Sequence, residues 1–121
     1  MKEVDPITVY YNSACPVCDA GIGAQRERMR ACQVEWIDVH TDPDAAASIG
    51  AELEDVRERL HVRGADGQLH IGSEAMAELM AHTPRWRWAG WLTRRLDFLA
   101  QPAYNAFARW LYRRNRRRGR W

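Results

Sequence analysis

Two cysteines separated by two residues, Cys15-Pro16-Val17-Cys18, have the types and spacing for thiol–disulfide chemistry. The thiolate is the reactive form of cysteine, so such chemistry needs one thiol that ionises readily and a second within reach to resolve a mixed disulfide. The same spacing also makes half of a zinc site. The elements around the pair favour the redox reading. Ile7-Thr8-Val9-Tyr10-Tyr11, rich in β-branched and aromatic residues, predicts a buried strand that ends just before the cysteines. From Pro16 to about residue 31 the helix formers Gln25, Arg26, Glu27, Arg28, Met29 and Arg30 predict a helix. Pro16 suits its first position, where a missing N–H has no partner to lose. Cys15 is then expected where free N–H groups and peptide dipoles stabilise negative charge, as the nucleophile, and Cys18, about one turn on, as the resolving thiol.

The chain around this motif is long enough for one domain with its own core: 121 residues, 46% hydrophobic and 28% charged. No run approaches 18 apolar residues, which argues against a membrane-spanning helix. The first six residues lack an apolar signal core, and three unevenly spaced cysteines do not make a disulfide-stapled scaffold. A cytoplasmic protein is expected, where a CxxC is catalytic or metal-binding rather than structural. The net charge of +2 hides an asymmetry. Residues 1–81 carry 7 Lys and Arg against 15 Asp and Glu, a balance of −8, and residues 82–121 carry 11 Arg against Asp97, a balance of +10. The shift near Thr83-Pro84 divides the sequence into a core over residues 1–83, bearing the CxxC, and a Trp/Arg-rich extension over residues 84–121 that packs on it.

The core alternates. Residues 34–39 predict a second strand, parallel to the first because a helix intervenes. A short helix is expected over residues 44–48 and a second helical piece over 53–59. Residues 60–63 and 68–71 read as two antiparallel strands joined at Asp66-Gly67, a tight-turn signal. Ser73 is expected to cap a helix over residues 74–81. The order β-α-β-α-β-β-α, with a central four-stranded mixed sheet and the CxxC after the first strand, is an α/β arrangement of thioredoxin-like type. Beyond it, Trp86, Trp88, Trp91, Leu92, Leu96 and Leu99, then Tyr104, Phe107, Ala108 and Leu111, predict two amphipathic helices separated at Gln101-Pro102. Their tryptophans are expected to fill the core and the helix–core seam. An Arg-rich tail, solvated and partly disordered, is expected over residues 113–120. Contact of that tail with nucleic-acid phosphates or an anionic membrane is the other reading.

The segment Tyr11-Asn12-Ser13-Ala14-Cys15-Pro16-Val17-Cys18 resembles the opening of the DCC family of predicted thiol–disulfide oxidoreductases, patterned Y-D-G-x-C-x-x-C. The likeness continues through Trp36-Ile37-Asp38, Leu60-His61-Val62, Asp66-Gly67, Gly72, Ala75 and Trp86-Arg87-Trp88. It implies a thioredoxin-like fold, a redox activity at Cys15 and Cys18, and supporting roles for Tyr11, Asn12 and Pro16. Asn12 stands where the family usually has Asp, and Ser13 where it has Gly. An Asp there accepts a proton when the second cysteine attacks; Asn12 only hydrogen-bonds. Cys15-Pro16-Val17-Cys18 is also similar to the glutaredoxin motif, and Leu69-His70-Ile71-Gly72-Ser73-Glu74 to the segment that holds glutathione there. That likeness implies substrate contacts at Gly72 and Ser73 and glutathione as a redox partner, with no resident cofactor. The proline that precedes the third strand in those proteins is missing from Arg57-Glu58-Arg59-Leu60-His61. His61, at the start of that strand, is expected to face the CxxC.

Two rivals stay open. Cys15, Cys18, Cys32 and His40 make a conceivable zinc set, although Cys32 falls at the far end of the first helix, roughly 25 Å from Cys15 at 1.5 Å per residue. Alternatively the domain is a thioredoxin-like interaction module whose CxxC no longer turns over. Cys32 otherwise reads as a semi-buried structural thiol. The substrates implied by the redox reading are protein or small-molecule disulfides.

Overall fold

The computed structural model describes residues 7–30, 34–64, 66–83 and 85–119. Ten elements follow one another: β1 (Ile7–Tyr11), α1 (Pro16–Arg28), β2 (Val34–Asp38), α2 (Asp44–Ser48), α3 (Leu53–Glu58), β3 (His61–Arg63), β4 (Leu69–Ile71), α4 (Ser73–Ala81), α5 (Arg87–Arg95) and α6 (Asp97–Arg117). The strands form a mixed four-stranded sheet in the order β2-β1-β3-β4. β1 runs parallel to β2, joined by the crossover helix α1, and antiparallel to β3; β3 and β4 form a hairpin. The protein is thus a mixed α/β fold with the sheet at its centre.

Alternation along β1 splits the core in two. Ile7, Val9 and Tyr11 point to one face and pack with Ile22 and Met29 around α1, Val62, and Ala75 and Leu79 of α4. Tyr10 points to the other face, among Val39, Ala45, Ala46 and Val56 around α2 and α3. The register Tyr10↔His61 puts His61 on this second face. Burying residues on both faces makes β1 a central strand, and its C-terminal end is where the cysteines begin.

The structure corrects three sequence-based expectations. Ser73 does not cap the helix over residues 74–81; it is the first residue of α4, and Gly72 is the cap, with φ 71° and ψ −128°, a conformation that glycine alone adopts without strain. The Ser73 hydroxyl turns instead to α6, to the Asp97 carboxylate at 3.2 Å and to Gln101. Pro102 does not separate two helices: the chain turns at Leu96 and α6 runs through Pro102. The N–H that Pro102 lacks would have served the carbonyl of Phe98, whose residue is 71% exposed, so the missing bond falls on the solvent side of the helix. Residues 113–117 are likewise the last turns of α6 rather than a disordered tail.

α5 lies on α4 through a contact of small residues. At Gly90 a Cβ would sit 2.7 Å from the Ala77 carbonyl oxygen and the Ala81 nitrogen, so the two backbones meet with no side chain between them. Arg94 of α5 locks this contact by a 2.5 Å bond to Glu78 of α4. α6 returns across α3: the Tyr104 hydroxyl accepts the Leu60 N–H at 2.9 Å, and the Tyr112 hydroxyl donates to Glu54. No helix is long and apolar enough to cross a membrane among the described residues.

Candidate redox site

The loop between β1 and α1 is fixed before the cysteines enter. The Asn12 carbonyl accepts the Cys15 N–H at 3.3 Å, and the Asn12 side-chain oxygen accepts the Ala14 N–H at 3.1 Å. Asp38, at the end of β2 and level with Tyr11, accepts the Ser13 N–H at 3.1 Å and the His40 N–H at 3.0 Å. Burial pushes the Asp38 carboxyl up, but the Ser13 side chain and these two N–H groups outweigh it and hold the group below the usual carboxylate value. Two adjacent strand ends thereby tie down one turn.

Cys15 is the N-cap of α1, in extended conformation (φ −86°, ψ 114°), with Pro16 opening the helix behind it. Its sulfur accepts the Cys18 N–H at 3.3 Å. Both thiols are free. The Cys18 side chain also hydrogen-bonds to the Cys15 sulfur. This bond outweighs desolvation and, with the Cys18 and Val17 N–H groups and the side chain of Asn115, draws the Cys15 pKa from 9.0 to about 6. Cys18 is driven the other way, upward, by its bond to the Cys15 sulfur, by burial, and by the negative charge on that neighbour. One thiol is ionised at neutral pH and the other holds its proton beside it.

Exposure runs opposite to acidity. The Cys15 side chain is 0% exposed, whereas Cys18 is partly open. Cys18 lines a mainly apolar cavity of about 330 Å³ whose walls include Val17 and Ile22 of α1, Leu60, and Tyr104, Phe107 and Leu111 of α6. Tyr11 and Asn12 line it too. The Asn12 side-chain nitrogen is buried with no hydrogen-bond partner among the described residues. Burial raises the Tyr104 hydroxyl pKa, so the tyrosine stays protonated beside Cys18.

The structure gathers Tyr11, Asn12, Cys15, Pro16 and Cys18 into one place and moves the other candidates away. His61 is buried on the opposite face of the sheet, its Nδ1 2.9 Å from the Arg59 carbonyl, beside a separate depression lined by Gly50, Asp55 and Ile71. It does not face the CxxC, because strand parity pairs it with Tyr10 rather than Tyr11. Gly72 and Ser73 lie beneath α6: the Tyr104 ring is 3.5 Å from where a Gly72 Cβ would be, and the Ser73 hydroxyl is engaged by Asp97 and Gln101. α6 covers the surface on which a glutaredoxin-type contact was expected. Cys32 lies outside the described residues, and among the described residues no group of three or more His, Cys, Asp or Glu is placed to hold a metal ion.

Asn115, Tyr104 and Asp38 are the site residues that the sequence reading did not assign. Asn115 has a signal in retrospect. Tyr104, Ala108, Leu111 and Asn115 share one stripe of α6, and an amide that ends an apolar stripe must find a partner when buried. Asp38 stands in the Trp36-Ile37-Asp38 likeness, but its role emerges only from the register that sets it level with Tyr11.

Compared with known proteins, residues 9–117 match the model of a family described as DCC1-like thiol-disulfide oxidoreductase. No curated protein and no solved structure matches the chain.

Proposed function

Because the chain belongs to the DCC1-like thiol-disulfide oxidoreductase family, we propose that it exchanges electrons with disulfides through the Cys15–Cys18 pair. The observation that carries this reading is the opposed acidity of the two thiols, one drawn to about 6 and its neighbour raised. The four-stranded mixed sheet, with the pair at a strand-to-helix junction, supports a thioredoxin-like arrangement.

In this mechanism the Cys15 thiolate attacks one sulfur of a substrate disulfide. The substrate S–S bond breaks, and the departing thiolate takes a proton from solvent. Cys18 then loses its proton and attacks the Cys15 sulfur, expelling the second substrate thiolate. Two electrons pass from the protein to the substrate, leaving a Cys15–Cys18 disulfide and two substrate thiols. A small thiol such as glutathione restores the dithiol by the reverse exchange, and a reducing, cytoplasmic setting suits that partner. Asn12 cannot take the Cys18 proton, so water in the cavity receives it.

Full burial of Cys15 favours a second reading, a non-catalytic module whose thiols are packed away. Equilibration in glutathione buffers of graded potential, with free thiols counted by mass spectrometry, separates the two. The catalytic reading requires a reversible two-electron transition between about −120 and −270 mV, the range of thiol oxidoreductases. It also requires Cys15→Ser to abolish disulfide reduction and Cys18→Ser to trap the mixed disulfide. Absence of the transition leaves the module reading.

A further inference from the structure

We propose that the outward faces of α5 and α6 form a docking surface for an anionic lipid bilayer. Gly90 turns toward α4, and other sides of α5 point to solvent: Trp88 and Trp91 are 61% and 60% exposed, and Leu92 lies beside them. The chain continues directly into Phe98, 71% exposed, and Leu99 at the start of α6. Farther along α6, Phe107 and Trp110 are again more than half exposed, their rings 6.1 Å apart. Their spacing predicts tryptophans in the core and its seam; the structure instead leaves Trp88, Trp91 and Trp110 more than half exposed. Scattered apolar residues on a surface need no explanation, but so many bulky ones along two consecutive helices do.

Charge selects the occupant. Residues 82–121 carry 11 Arg against one acid, and that acid, Asp97, faces Ser73. Guanidinium groups lie over the outward indoles: Arg95 is 5.3 Å from the Trp91 ring centroid, and Arg114 is 5.5 Å from that of Trp110. Tryptophan and arginine side by side, with aliphatic residues next to them, match the layered chemistry of a membrane interface. There the indole and guanidinium sit among headgroups while Phe and Leu reach the acyl boundary. A second copy docking face to face through this surface would meet a like charge of +10. A nucleic acid would pair with the arginines and stack on the indoles, but it offers nothing to Leu92 and Leu99. The −8 of residues 1–81 adds an orienting effect, because a negative surface attracts one part of the molecule and repels the other.

The test is flotation of the full-length reduced protein with vesicles of phosphatidylcholine alone or containing about 30 mol% phosphatidylserine. Binding is expected to the anionic vesicles and to be at least about tenfold weaker for the neutral ones. Replacing exposed side chains should leave the fold intact, which near-ultraviolet circular dichroism checks. The double variant Trp91→Ala/Phe98→Ala should lower partitioning by about tenfold or more, and Arg113→Gln by about fivefold. Quenching of indole fluorescence by brominated lipid should fall in the first variant. Three results would overturn the proposal. The first is no flotation at about 0.1 M salt. The second is flotation untouched by the apolar double variant and equalled by binding to an oligonucleotide, which marks a mere polycation. The third is a concentration-dependent dimer that the double variant dissolves, which marks a self-association face.

Discussion

Asn115, 97 residues beyond Cys18, holds a buried amide against the Cys15 thiolate, and its removal has a calculable consequence. Its side chain is 3% exposed and donates to the Cys15 sulfur, helping to bring that pKa from 9.0 to about 6. A hydrogen bond to a charged group contributes about 1.5–3 kcal/mol, and 1.36 kcal/mol is one pKa unit, so losing this donor should raise Cys15 by about one to two units. Asn115→Leu is the better perturbation. It keeps the branched shape of the side chain, favours the helix and admits no water, whereas Asn115→Ala opens a space that a water molecule can fill as a substitute donor. The Cys15 midpoint should move to about 7–8, and the thiolate fraction at pH 7 should fall from about 90% to between about 50% and 10%. Asn115→Asp should raise it further by putting a like charge beside the sulfur. The assay is thiolate ultraviolet absorbance against pH, with the same titration of Cys15→Ser subtracted. Stability follows the same group. Because the folded pKa lies below the ordinary 9.0, ionisation stabilises the reduced fold fully above pH 9, and this contribution is lost as pH falls toward 6. In Asn115→Leu that window should narrow from the low-pH side. A midpoint that stays within about 0.3 unit of the wild type in a folded Asn115→Leu protein would refute the assignment of Asn115 to Cys15.

Other outcomes follow from the same geometry. Asn12→Asp keeps the oxygen that accepts the Ala14 N–H and adds a base in the cavity that Cys18 lines; single-turnover decay of the mixed disulfide should quicken by about tenfold or more, and an unchanged rate would remove position 12 from the proton path. Gly90→Ala forces a Cβ to within 2.7 Å of α4 backbone and should destabilise the protein by about 1–3 kcal/mol in urea unfolding, more than any Ala substitution at exposed Gly23. Asp38 has a folded pKa below 3.8, so its contribution is present above that pH and lost as pH falls through the depressed value; Asp38→Ala should abolish this acid-side dependence and lower stability at pH 7 by about 1 kcal/mol.

The local signals in the sequence were strong where one element decides them. β1 and the start of α1 fall where β-branched residues and Pro16 put them, and the Asp66-Gly67 turn joins β3 to β4 as its chemistry demands. Failures came where a second element competes. Ser73 is a good cap residue, but glycine at position 72 takes the cap because only it tolerates φ 71°, which frees the hydroxyl for α6. Pro102 reads as a breaker, yet it falls five residues into α6, just past the first turn and on the side of the exposed Phe98. The direction of its strand predicts His61 near the CxxC, but parity against Tyr10 governs its face. The cover over the site, Asn115 and Tyr104 included, follows from how α6 returns across α3, and no local pattern encodes that path.

That returning helix gives the site its particular character. A helix N-terminus alone would leave Cys15 acidic and open to solvent, reactive toward any disulfide. Here α6 supplies one donor to the thiolate and part of the wall beside Cys18, so the segment that sharpens acidity also restricts access. Cys15 is 0% exposed, so a substrate disulfide reaches it only through a local opening, and an opening that carried α6 away would withdraw the Asn115 donor and raise the thiol pKa. Nucleophilicity grows with basicity while the thiolate population shrinks, and the best attacking thiol has a pKa near the ambient pH. Starting from about 6, loss of that donor would carry Cys15 toward this optimum, so the same contact bears on both access and reactivity.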